Sequence, residues 1–486
     1  MTTSSENEVQ PMKYIDREHT WFRYVFFMSG LSLCITVDIL QYSMPLAFLP
    51  SVLEDRGHSP MKIATAIGIY YWTGFLGGLV LTSYQIWRVL YTKESTAVDI
   101  TPYSTVKRHI KFLIFGLGIG VITLLIQAVN PRWITHTSCR FIQGFVGAYI
   151  FFYTFLLSVA LFKGQQQVVA MTFASCATVL AELAGPLLGS ILFDMSGQRL
   201  VFWFLGLVSF GNQLMLVGVL YMVRPVEADC SSVMQPVMNH EDVDSEMPEQ
   251  TWRWGDRFRP QRGAWKKLMT LLQNRTFICA NLIITMAGVI KGSVEEMLPF
   301  HADHEWGYQP MEIGKLFCTV AVTYLIASII VSQVWIKLGR FQIGFSSQCI
   351  LLLGITAWMG FCVAYYTKDS TTLFCTFAAY GFGAGLAFTA AAQLIADVVD
   401  HEEGFFKDAA NGLWNTWWEA GGSLGFFLGG ALAHHHSDQM VLTGRYAICA
   451  AIVALSMISL GGNSSSDKGC MLMDKTEGKL DYGSTA

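Results

Sequence analysis

The chain has 486 residues, 52% of them hydrophobic and 14% charged, with a mean hydropathy of +0.41. Soluble domains carry roughly 25% charged residues, so a water-soluble fold of this size has no way to hide that much apolar surface. Net charge is −4 and the pI is near 6.3, and nothing global points to a nucleic-acid partner.

The first twenty residues are polar and mixed in charge, without the apolar centre of a cleavable signal, so the first span itself is expected to direct insertion. Apolar runs then predict helical spans at about 22–50, 62–87, 110–129, 134–162, 167–193 and 199–223. They are close to the roughly 20 residues a helix needs to cross a bilayer, not the ten-residue alternating runs of a barrel. A polar stretch at 224–270, an acidic run followed by a basic one, reads as a cytosolic linker. Six further spans follow at about 275–298, 311–335, 341–366, 371–397, 408–433 and 441–462, and residues 463–486 form a polar tail. Residues 22–223 and 271–462 are thus read as two pseudo-symmetric six-helix bundles, with 1–21 a cytosolic N-terminus.

With both termini cytosolic, the cytosolic segments hold 23 of the 32 Lys and Arg residues and the opposite loops eight, with Arg140 inside a span. That distribution obeys the positive-inside rule. The sequons at Asn274 and Asn463 then face the cytosol and stay unmodified. Of eleven cysteines, nine fall in hydrophobic runs and none forms a CxxC pair, so neither a disulfide framework nor a thiolate metal site is expected. His434, His435 and His436, and His301, Asp303 and His304, lie on the extracytosolic side, where titration fits better than metal binding. No P-loop, zincin pair or nucleophile elbow occurs, so no enzymatic chemistry is indicated.

An ionisable residue inside a bilayer costs roughly 2.5–3.5 kcal/mol on insertion scales and is a functional candidate by default. The chain places Asp38 in span 1, Glu182 in span 5, Glu295 and Glu296 in span 7, Asp397 in span 10 and Glu419 in span 11, against one buried base, Arg140 in span 4. A buried carboxylate without a partner escapes its desolvation cost by taking a proton, and a cation arriving beside it favours the charged form. A set of such acids is therefore a proton-coupling device that selects against anionic substrates. Bland readings stand beside this one. Arg140 also suits a structural role, at least one of Glu295 and Glu296 fits a wetted rim at the outer end of span 7, and Asp400, Glu402 and Glu403 fit a solvated face. Asp38 and Glu419, deep in apolar runs, are the hardest to explain structurally. Tyr71, Trp414 and Trp418 are candidates for an aromatic cavity wall facing a cation.

Arg140-Phe-Ile-Gln143-Gly144 resembles the RxxQG signature of proton-driven drug antiporters in the major facilitator superfamily, and Gly185-Pro186-Leu-Leu-Gly189 resembles their span 5 motif. Within that superfamily, Asp38 followed by Met44-Pro45, Glu296-Met-Leu-Pro299, and Trp414 to Gly425 with Glu419 are similar to elements of the vesicular amine transporters and their relatives. The loop between spans 2 and 3 lacks the family's GxxxDRxGRR motif, of which Lys337-Leu-Gly339-Arg340 is a remnant, and the loop after span 1 is short. The resemblance implies twelve helices in two bundles rocking about a midplane site. It implies antiport of a small organic cation against protons, Asp38, Glu419, Glu296 and Glu182 binding substrate or proton, Arg140, Gln143 and Gly144 serving coupling, and Gly185, Pro186 and Gly189 forming the moving seam. No cofactor beyond the proton is expected, and the partners are the lipid bilayer and a small-molecule substrate, with the protein a monomer in the plasma membrane or an acidic vesicle or vacuole membrane. Two alternatives remain open. Ala396-Asp397-Val-Val-Asp400 is similar to cation-coupled sugar symporters, and a facilitator fold also serves as a non-transporting receptor or scaffold.

Overall fold

A computed structural model describes residues 20–91, 103–162, 165–223, 262–338, 343–366, 369–399, 404–432 and 436–461. Among them the regular structure is helical: α1 (Thr20–Ser43), a 3-10 turn (Met44–Ala47), α2 (Leu49–Glu54), α3 (Pro60–Tyr91), α4 (Tyr103–Val129), α5 (Trp133–Leu161), α6 (Gln165–Met222), α7 (Arg262–Gln273), α8 (Arg275–Trp306), α9 (Pro310–Leu338), α10 (Ile343–Tyr366), α11 (Ser370–Val399), α12 (Gly404–Leu432) and α13 (His436–Gly461). Eight helical stretches among the described residues are long and apolar enough to cross a membrane, and shorter apolar stretches lie in α10 and α13. The N-terminal tail, the loop at 92–102, most of the expected linker, the His434 and His435 pair and the C-terminal tail lie outside the described residues.

Local chemistry explains where these helices break. Span 1 stops being α-helical at the 3-10 turn, where Pro45 sits in the first positions and cannot donate to the preceding turn. Spans 5 and 6 run together as α6, interrupted only at Ser196 and Gly197; Gly197 has φ +71°, a conformation that costs a residue with a Cβ. With α6 counted as two helices, α1, α3, α4, α5, α6 and α8 to α13 make the twelve of an all-α membrane protein. Span 7 was expected to end near 298, but α8 continues through Pro299 to Trp306 and closes on Gly307 at φ +65°. Helix α7, whose Leu268 and Leu271 are buried while Trp265 and Lys266 are exposed, gives the end of the expected linker an amphipathic helix.

The chain divides into two compact units. One comprises Met1–Leu49, Trp72–Leu268 and Gly404–Leu413; in it α1 packs on α5 and α6, and α4 on α5 and α6. Its core is aliphatic and aromatic, with Phe27, Leu31, Leu113, Leu117, Leu157 and Leu216 all but fully buried. The other comprises Pro50–Tyr71, Met269–Glu403 and Trp414–Ala486; in it α9 packs on α11, α10 on α11 and α13, and α8 on α10, α11 and α13. The first twelve residues of α3 thus group with the second unit, and the first ten of α12 with the first.

Candidate functional site

In the first unit, polar side chains line the facing surfaces of α4 and α5. His136, Arg140 and Gln143 recur at i, i+4 and i+7, so they share one face of α5, and all three are buried. Gln143 Nε2 donates to Thr123 Oγ1 at 3.1 Å and to Gln127 Oε1 at 3.0 Å, and Gln127 Nε2 lies 3.4 Å from His136 Nδ1. These bonds meet the demand that buried amides be satisfied. Arg140, fully buried, reaches the Tyr42 carbonyl with Nη1 at 3.5 Å. Tyr42 follows Asp38 by one turn of α1, and Asp38 is 5% exposed, which places that acid in the core of this unit. Gly144 is buried and Glu182 half-buried.

Gly185 and Gly189 lie one turn apart on α6 where that helix meets Ser43 and Met44. A Cβ on either would collide with Ser43 or with the Met44 backbone, and Ser43 Oγ donates across the same contact to Ala181 O at 3.2 Å. Pro186 between them removes the donor that would serve the carbonyl of residue 182. The structure therefore makes Gly185, Pro186 and Gly189 a tight contact between α6 and the broken end of α1, inside one unit.

In the second unit, α8 and α12 approach through small residues on both sides. A Cβ on Gly288 would lie 2.9 Å from Trp418 O, and one on Gly425 2.9 Å from Ser293 N. The close approach is tied down by Ser293 Oγ, which donates to Gly425 O at 2.8 Å and lies 2.6 Å from Tyr446 Oη. Against this seam stands Glu296, 1% exposed, and neither carboxyl oxygen has a hydrogen-bond partner. Gly429 and Gly430 leave it room: a Cβ on Gly429 would lie 3.2 Å from Glu296 Cβ. Glu296 is thus a core residue and not a wetted rim, because α8 extends nearly three turns past it.

The family profile described as Major Facilitator Superfamily matches residues 31–404 and 276–462, which between them span both units. The chain belongs to the major facilitator superfamily. Among solved structures, a bacterial homologue of the human lysosomal transporter Spinster, inward-facing and unoccupied, covers 91% of this chain and 98% of its own with a TM-score of 0.65. At 11% identity that likeness shows the fold alone. A comparison with curated proteins finds no match.

As a facilitator, the chain is a secondary active transporter and not an enzyme. Arg140 is not the sole base inside a span, because a half-buried Lys291 stands in α8. Lys291, within the expected span 275–298, lies in the middle of α8. Its Nζ is 2.7 Å from Glu295 Oε1 and donates to Tyr71 Oη at 3.4 Å, and it sits over the Trp418 ring at 5.5 Å from the centroid. The signal was present, since Lys and Glu at i and i+4 inside an apolar run mark a helical ion pair. Phe388 was also missed. It brings the expected wall residues together, 5.4 Å from Trp414 and 5.2 Å from Trp418 between ring centroids. Glu419, half-buried, follows Trp418 by about 100° around the helix, and its carbonyl accepts from Ser423 Oγ at 2.7 Å. The structure groups the expected site residues in two sets: Asp38, Arg140, Gln143, Gly144, Glu182, Gly185, Pro186 and Gly189 in the first unit, and Tyr71, Glu296, Trp414, Trp418 and Glu419 in the second. Glu54 Oε1 lies 2.9 Å from His304 Nε2.

Proposed function

We propose that the protein is a proton-coupled antiporter of small organic cations, working by alternating access. The observation that carries this reading is Glu296. An ionised carboxylate enclosed without a hydrogen-bond donor bears the full cost of leaving water, and taking up a proton removes that cost. A cation bound nearby stabilises the charged form, so substrate arrival and proton departure are linked, as exchange requires. Acids in both units support the same reading, with Asp38 enclosed in the first and Glu419 beside the aromatic residues of the second. In the first unit Arg140, with Gln143 and Gly144 on the same helix, is assigned the coupling role, and Gly185, Pro186 and Gly189 the pliable seam. The likeness of the Asp38, Glu296 and Glu419 segments to vesicular amine carriers supports a protonated amine as the cation carried.

The test is proton flux from proteoliposomes with an acidic interior, to which organic cations and then sugars are added outside. An amine that triggers proton efflux, lost in Glu296→Gln while the variant still reaches the membrane, supports antiport. Proton or sodium uptake with a sugar, and silence with every amine, refutes it in favour of symport.

A further inference from the structure

The position held by the Lys291 ammonium is built as a receptor for organic cations. A carboxylate at 2.7 Å, a phenol oxygen at 3.4 Å and an indole face at 5.5 Å are the three kinds of group that recognise a protonated amine. They come from three helices of the second unit: Glu295 from α8, Tyr71 from α3 and Trp418 from α12. A helical Lys–Glu pair needs only its own helix, whereas here two further elements are placed around the charge. Tyr71 is fixed there by packing, its ring 5.3 Å from that of Phe426 and against Gly422, where a Cβ would come within 2.8 Å of Cδ1. Behind Trp418 the surface continues as aromatic ring, through Phe388 to Trp414 and, at 6.1 Å, to Tyr324.

We infer that this is the amine subsite of the carrier and that Lys291 is its tethered occupant, a stand-in that the substrate ammonium displaces. Its side chain is a point charge on a flexible four-carbon stem and is able to withdraw, while the rings and Glu295 stay in place. Exchange of one ammonium for another never leaves Glu295 without a cation, which keeps the barrier to entry low. The adjoining rings set the substrate class as an amine joined to a planar apolar ring, with the ring against Phe388 and Trp414. The inference rests on the organic-cation reading above and names the chemistry of its site. Exchange adds one positive charge to the protein, and the departing proton of antiport restores the balance.

The test is equilibrium binding of radiolabelled phenethylammonium to the purified full-length protein and to Lys291→Met, Lys291→Arg and Glu295→Gln, with neutral 2-phenylethanol as competitor. A resident occupant lowers apparent affinity by the fraction of time the subsite is vacant, so Lys291→Met should bind about ten-fold or more tightly than the unaltered protein. Lys291→Arg should bind no more tightly, Glu295→Gln should lose binding, and phenylethanol should not compete. Unchanged or weaker binding by Lys291→Met, or competition by phenylethanol, overturns the inference. If Lys291→Met does not fold, Lys291→Gln carries the same expectation. Proton efflux separates the two claims. Tighter binding by Lys291→Met without amine-triggered efflux in the unaltered protein sinks the antiport reading and leaves the subsite standing, while efflux with unchanged Lys291→Met affinity does the reverse.

Discussion

The ammonium of Lys291 lies 2.7 Å from the carboxylate of Glu295, one turn further along α8, and both side chains are largely enclosed, 16% and 12% exposed. A pair held this way stabilises little on balance, yet breaking it strands a charge. Glu295→Gln should therefore lower stability by about 2–4 kcal/mol. Adding Lys291→Met should recover most of the loss, because no lone ammonium then remains. Thermal unfolding of the two variants in detergent decides the matter. Equal losses for the single and double variants would mean that the pair is energetically silent.

Gln143 joins α5 to α4 by donating to both Thr123 and Gln127. Gln143→Leu keeps the bulk and removes both donors, leaving the buried Gln127 carbonyl oxygen without the Gln143 donor. The expected cost is about 1–3 kcal/mol. It should be read as a fall in unfolding temperature alongside amine-triggered proton efflux, since a coupling role predicts a loss of efflux larger than the loss of folded protein.

Glycines on α12 and α6 should respond oppositely to a methyl group. Gly425→Ala brings a Cβ to within 2.9 Å of Ser293 N, backbone against backbone, and forces α8 and α12 apart. An overpacked contact of that kind costs about 1–3 kcal/mol. Gly211→Ala meets no atom within 4 Å and should stabilise α6 by about 0.5–1 kcal/mol through helix propensity alone. A thermal-shift comparison in which both variants move the same way would contradict the close approach of α8 and α12.

Asp369, exposed and just before α11, accepts from the Thr372 hydroxyl at 2.6 Å and from its backbone amide at 2.8 Å. Those bonds, the hydroxyl's foremost, hold the carboxyl below the usual carboxylate range. A carboxyl whose value is depressed on folding contributes above the unfolded value, about 3.9, and loses that contribution as pH falls through the lower folded value. Asp369→Ala should therefore be less stable than the unaltered protein at neutral pH, and the gap should close below about pH 4. A gap that persists at low pH would show that the Asp369 charge is not what caps α11.

The helical content of the chain follows from the length of its apolar runs, because a bilayer leaves the backbone no partner except its own next turn. The same local logic accounts for the left-handed residue at Gly197, the paired glycines 185 and 189, and the break at Pro45 that the expected span 22–50 runs through, all properties of single residues or of helical spacing. The Lys291–Glu295 pair is equally local, a Lys and a Glu at i and i+4 inside one apolar run. Spacing along one helix carries no information on what stands opposite. That Lys291 meets Tyr71, 220 positions away, that Phe388 closes the gap between Trp414 and Trp418, and that Glu296 faces glycines in place of water were decided by packing between helices. An acid in an apolar run has one sequence whether it is capped, paired or alone. Its neighbours from other helices determine which, and so only the tertiary structure separates the enclosed carboxyl of Glu296 from the paired one of Glu295 beside it.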